Sequence, residues 1–189
     1  MTNLVEPAVA TSVPNAQLTH VGIPARNLDV LVEFYGRVMG MVVTDRGHFL
    51  GRDLAFLSRS PDEHHQIVMI YDPASVSRES ALGQLSFRLD DLEALRRYHA
   101  LLLKEEGVVG LEGRNHGNSW SLYFFDPEGN KIELYVPTPW HVSQPWRAPL
   151  DLTRPADSIV DETRQLMAGN PTSRPMDEWS RELKAKLGR

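Results

Sequence analysis

The chain of 189 residues contains no cysteine, which excludes disulfides, thiolate catalysis and Cys-ligated zinc or iron–sulfur centres. It has no apolar run near the roughly 20 residues that a membrane-spanning helix requires. Basic residues are outnumbered, 20 Lys+Arg against 25 Asp+Glu for a net charge of −5, so the broad positive face of a nucleic-acid binder is missing. Residues 1–15 lack a basic start and place Glu6 ahead of a weakly apolar stretch, which argues against an export signal. A loose N-terminal arm and a cytoplasmic location are the expectations. What is present is 41% hydrophobic and 24% charged residues, enough for the buried core of one ordinary domain. Any metal must be held by His, carboxylate or amide oxygen, so the seven histidines are the first residues to place.

The most informative feature is an internal repeat. Gln17 to Ile23 alternates like a strand, and an Asn27 cap then opens an amphipathic run through Leu31, Phe34, Tyr35 and Val38 that stops at Gly40. At an offset of 64, Leu82 to Leu89 alternates again, and Asp91 caps a run through Leu95, Tyr98, Leu101 and Leu102 that stops at Gly107. Three strand-like stretches follow each helix: 41–46, 52–58 and 64–71, then 108–114, 119–125 and 130–136. The chain therefore reads as an α+β fold in which two βαβββ modules, 16–73 and 82–136, form a curved mixed sheet around a cavity. The domain spans 16–136. Beyond it, residues 137–189 form an extension punctuated by prolines, with Trp140 and Trp146 docked and short helices over 157–168 and 175–187.

Strand alternation assigns faces. Leu85, Phe87 and Leu89 face a helix and leave Gln84, Ser86 and Arg88 opposite. Trp120, Leu122 and Phe124 leave Tyr123 opposite; Ile132, Leu134 and Val136 leave Glu133 opposite; Val21 and Ile23 leave His20 opposite. Four strands thus send His20, Gln84, Tyr123 and Glu133 to one polar, concave side, which is costly unless those groups hold a metal, a ligand or water. Each residue also has a plain structural role open to it. His20 could bond the backbone, Glu133 could pair with Lys131 or Arg88, Tyr123 could line a pocket, and His64-His65 could be a polar strand start.

Three segments carry a family resemblance: Leu18-Thr19-His20-Val21-Gly22-Ile23, Leu31-Val32-Glu33-Phe34-Tyr35, and Asp126-Pro127-Glu128-Gly129-Asn130-Lys131-Ile132-Glu133-Leu134. Over residues 16–136 the chain resembles the vicinal oxygen chelate superfamily, which includes glyoxalase I, methylmalonyl-CoA epimerase, fosfomycin-resistance proteins and extradiol ring-cleaving dioxygenases. The resemblance implies a divalent metal that holds two neighbouring oxygens of a substrate. Glyoxalase-like members supply four ligands, but the repeat aligns Glu133 with Val68, whose neighbours Ile67 and Met69 are also apolar, so the fourth ligand is absent.

Type I extradiol dioxygenases, which supply His, His and Glu, resemble the chain more closely. The implied metal ligands are His20, Gln84 and Glu133, with Gln84 standing where the family has its second histidine. Fe(II) is the implied ion, with Mn(II) and Zn(II) as alternatives. The implied catalytic residues are His65 from the His64-His65 pair, Tyr123 ten residues before Glu133, and His116 with its spacing off by about two. The expected function is extradiol-type oxidation of a catechol-like aromatic. The alternatives are a glyoxalase- or epimerase-like lyase or isomerase, or a non-catalytic small-molecule binder. Expected partners are a small aromatic substrate, suited by Phe49, Phe56, Tyr71, Trp120, Trp140 and Trp146, and further copies of the chain in a homodimer or higher homo-oligomer. No nucleic acid or membrane is expected.

Overall fold

The computed structural model describes residues 16–74 and 83–187; the N-terminal arm lies outside the described residues. The first module runs β1 (Val21–Ala25), α1 (Leu28–Arg37), β2 (Val42–Phe49), β3 (Arg52–Ser58) and β4 (Ile67–Tyr71). The second runs β5 (Leu85–Arg88), α2 (Leu92–Leu102), β6 (Val109–Asn115), β7 (Ser119–Phe125) and β8 (Lys131–Pro137). The extension contributes β9 (Trp140–His141), β10 (Ala148–Pro149), α3 (Ala156–Ala168), β11 (Arg174–Pro175) and α4 (Met176–Lys186). Among the described residues no helix is long and apolar enough to cross a membrane.

Each module forms its own sheet, ordered β1-β4-β3-β2 and β10-β6-β7-β8-β5. In both modules the first strand runs parallel to the last, with Val21 opposite Ile67 and Leu85 opposite Ile132. The repeat is therefore exact in register, and Val68 is the counterpart of Glu133. Local chemistry explains the helix ends: the Asn27 and Asp91 side chains accept the Val30 and Ala94 amides. Gly40 and Gly107 adopt left-handed φ values of 64° and 86° just beyond the helices. Leu31, Phe34 and Tyr35 of α1 and Leu95 and Leu102 of α2 join the inward faces of both sheets in one continuous apolar core.

The Asp126–Asn130 turn joins the modules. Asp126 Oδ1 accepts the Glu128 and Asn130 amides at 2.9 Å each, folding the turn on itself, and Tyr35 donates to Asp126 Oδ2 at 3.2 Å. The Glu128 carboxylate then accepts the Arg26 and Asn27 amides at 2.9 and 2.6 Å, placing a negative charge at the N-terminus of α1.

The extension is docked. The buried Thr163 hydroxyl of α3 accepts from Asn115 Nδ2 and Trp120 Nε1, both at 2.9 Å, and donates to the Ile159 carbonyl. Trp140 packs against the core, and β10 extends the second sheet through β6.

Two expectations need correction. His20 and Gln84 each lie one residue ahead of their strands, and His64-His65 precedes β4 rather than lying within it. The reason for the last is pairing: the Gln66 amide donates to the Leu57 carbonyl, and β3 ends at Ser58, so residues before Gln66 have no ladder to join. The mixed sheets of the two modules are hydrogen-bonded as two ladders, as the paired βαβββ modules imply, and β2 is exposed along its whole length.

Candidate active site

Register builds the centre of the site. Glu133 on β8 lies directly opposite Tyr123 on β7 and beside Ser86 on β5. Its side chain is 8% exposed, so its carboxylate depends on protein donors. Oε1 accepts from the Tyr123 hydroxyl at 2.6 Å, and Oε2 accepts from Ser86 Oγ at 2.6 Å and Gln84 Nε2 at 2.8 Å.

His116 stands behind Tyr123, with Nε2 at 3.0 Å from the hydroxyl and Nδ1 at 3.2 Å from the Trp146 carbonyl. The carbonyl can only accept, so Nδ1 carries a proton. Tyr123 has a single proton and gives it across the shorter contact to Glu133. His116 Nε2, the Tyr123 hydroxyl and Glu133 Oε1 thus stand in a row at hydrogen-bonding distances, a relay of adjoining polar groups. Burial first, and then the hydrogen bond to Glu133, push the Tyr123 phenol well above its ordinary range, which keeps it a donor at neutral pH. The Lys131 ammonium lies 4.6 Å above the Tyr123 ring centroid.

The first module contributes a separate group. The rings of His20 and His65 are 4.5 Å apart, and His64 Nδ1 lies 3.0 Å from His65 Nδ1. Phe56 presents its ring to both His64 and His65. His65 is half-buried and His64 exposed, which separates the members of the pair. Burial, followed by the charges of His20 and His64, lowers the His65 pKa and favours its neutral form.

The structure thus joins Gln84, Glu133, Tyr123 and His116 in one hydrogen-bonded chain and brings His20 against His65. Among the described residues no hydrogen bond, ion pair or ring contact links His20 to Gln84 or Glu133. Likewise, no group of three or more His, Asp or Glu side chains there is spaced to hold a metal ion. The set expected from the resemblance, His20, Gln84 and Glu133, has an amide in place of an imidazole. Its donor chemistry fits a metal centre. Among the described residues, Gln84 donates through Nε2 and leaves Oε1 without a partner, His20 engages Thr19 through Nδ1 and leaves Nε2 without one, and Glu133 supplies the charge.

Two participants escaped sequence reasoning. Strand alternation put Ser86 on the face of Gln84, but only the register with Glu133 gives it a role. The Trp146 contact to His116 uses a backbone carbonyl, which leaves no mark in the sequence.

The model for the Glyoxalase/Bleomycin resistance protein/Dioxygenase superfamily matches residues 17–134. The chain is 27% identical over 142 residues to a metapyrocatechase of Geobacillus stearothermophilus, covering 75% of this chain and 41% of that protein. It is 26% identical over 125 residues to biphenyl-2,3-diol 1,2-dioxygenase 2 of Rhodococcus globerulus, covering 64% of this chain and 62% of that protein. The chain thus spans between two fifths and two thirds of the length of these relatives. Among solved structures, a glyoxylase/bleomycin resistance protein/dioxygenase domain from Frankia sp. EAN1pec superposes with a TM-score of 0.57 at 18% identity, over 66% of this chain and 94% of that one. A Leishmania major glyoxalase I superposes with a TM-score of 0.51 at 22% identity, over 64% and 86%. These two share the fold. With most of both modules covered by the family model, the chain belongs to the glyoxalase/bleomycin resistance protein/dioxygenase superfamily.

Proposed function

We propose that the chain is a metal-dependent oxidoreductase of the extradiol dioxygenase type, acting on a catechol-like or related small aromatic. The observation that carries this reading is the His116–Tyr123–Glu133 relay, a proton path that ends on a nearly buried carboxylate. The two curated relatives support it, one by name a diol dioxygenase and the other a metapyrocatechase.

His20, Gln84 and Glu133 would hold the metal, Fe(II) for this chemistry. Bound there, it would supply a Lewis-acidic anchor for two adjacent substrate oxygens. The chain's own groups handle protons. His65, kept neutral by burial and by its imidazole neighbours, takes a proton from a substrate hydroxyl. Tyr123 holds its proton against Glu133 with His116 at its oxygen, and the contact between His116 and Trp146 fixes the imidazole. Phe56, packed on His64 and His65, gives an aromatic ring an apolar wall.

The test is oxygen uptake by Fe(II)-loaded protein on a panel of catechol, 3-methylcatechol and biphenyl-2,3-diol. Consumption of one O2 per ring opened is the expected result. Tight diol binding without oxygen uptake, with Fe(II) and with Mn(II), would overturn the reading. A specific feature favours a second reading, a lyase or isomerase: the neutral Gln84 amide is a weaker Fe(II) ligand than imidazole, and proton transfer by Glu133 requires no O2.

A further inference from the structure

A cleft of about 750 Å³ lies between the modules along the edge strand β5. Its apolar walls include Met39 and Met41 from the first module and Phe87 and Leu101 from the second. Three arginines line it, Arg59, Arg88 and Arg97, against one acidic residue, Asp90. This inverts the charge of a chain whose net charge is −5.

Ten arginines elsewhere pair with carboxylates. Arg88 and Arg97 have no hydrogen-bond or ion-pair partner among the described residues, although both border the same cavity. Arg59 is held in place: its backbone amide donates to Gln66 Oε1 at 2.9 Å, and its guanidinium donates to the Met39 carbonyl at the end of α1. Gly40 permits this, because a Cβ there would come 2.4 Å from Arg59 Nη1. Unpartnered guanidinium groups beside apolar walls suit a ligand with one anionic end and an apolar body. Asp90 and the carbonyl end of α1 disfavour a second negative charge.

We propose that this cleft binds an organic monocarboxylate with an apolar body of one or two rings, at a site separate from the Glu133 relay. Ser86 borders the cleft and also donates to Glu133, so the sites adjoin, but Glu133 does not line the cleft. This site goes beyond the proposed reaction and does not rest on it.

Isothermal titration of the full chain with 2-naphthoate tests the inference, with 2-naphthalenemethanol and inorganic phosphate as neutral and bodiless comparisons. One 2-naphthoate should bind per chain, at least about tenfold tighter than either comparison. Arg88→Gln/Arg97→Gln should weaken it by at least about tenfold, whereas Glu133→Gln should leave it within about twofold. Should the double variant fail to fold, the naphthoate-to-alcohol ratio in the unaltered protein decides alone. Absence of naphthoate binding, equal binding by the folded double variant, or alcohol or phosphate binding as tight as naphthoate would overturn the proposal. So would a loss of about tenfold or more in Glu133→Gln, which would put the anion in the relay site.

Discussion

Tyr123 and Glu133 face each other across adjacent antiparallel strands, and the phenol donates to the carboxylate over 2.6 Å. Ten residues apart in sequence, they are direct neighbours because β7 and β8 are joined by a tight turn. Their contact is the centre from which the rest of the site is organised.

Replacing Tyr123 with Phe removes one of three donors to a nearly buried carboxylate and the hydroxyl that His116 contacts. The expected cost is about 1–3 kcal/mol, read from urea midpoints of the two proteins. Turnover on a ring-opened diol should fall by about 10²-fold or more if Tyr123 holds the transferred proton. Unchanged stability would mean that water replaces the phenol without penalty.

The Gln84 position is testable by restoring imidazole. Gln84→His should raise Fe(II) affinity by about tenfold or more, since imidazole is the better ligand for this ion. Metal titration of both proteins measures the change. His20→Ala/Glu133→Ala should retain no metal, and full occupancy there would move the centre elsewhere.

His65 and His64 should separate in kinetics. His65, half-buried against His20, is the member placed to exchange protons, so His65→Phe should cost about 10²–10⁴-fold in turnover while metal content stays near normal. His64→Phe should do much less. The opposite ranking would assign the proton to the exposed ring.

Thr163→Val keeps the shape of the side chain but strands the Asn115 and Trp120 donors that end on its hydroxyl. The expected destabilisation is about 2–4 kcal/mol by denaturant unfolding. A negligible change would show that both donors find other acceptors.

His141 makes stability depend on pH. Burial first and then Arg174 lower its pKa, Glu182 opposes them, and its buried Nδ1 has no partner among the described residues. The folded state therefore binds this proton more weakly than the unfolded chain. Stability is fully present above the unfolded value of about 6.5 and falls as pH drops through the interval down to the lower folded value. His141→Phe, which keeps an aromatic ring against Trp179, should lose less stability between pH 7.5 and 5.5 than the parent. Parallel thermal midpoints at both pH values would remove His141 as a source.

The sequence by itself determined the double module. The 64-residue offset, the Asn27 and Asp91 caps, the glycine stops and the strand faces are local properties, set by side-chain period and capping chemistry within a few residues. Those faces put Tyr123 and Glu133 on one side, as the structure shows. Tertiary structure alone decided three things. It moved the His64-His65 pair off β4, because the end of β3 leaves that segment no strand to pair with. It brought the Trp146 carbonyl to His116, thirty residues away, and with it the orientation of that imidazole. It gathered Arg59, Arg88 and Arg97 around one cleft from elements that share no periodicity. Period and capping act along the chain, whereas these convergences depend on how two modules and an extension pack against each other in space.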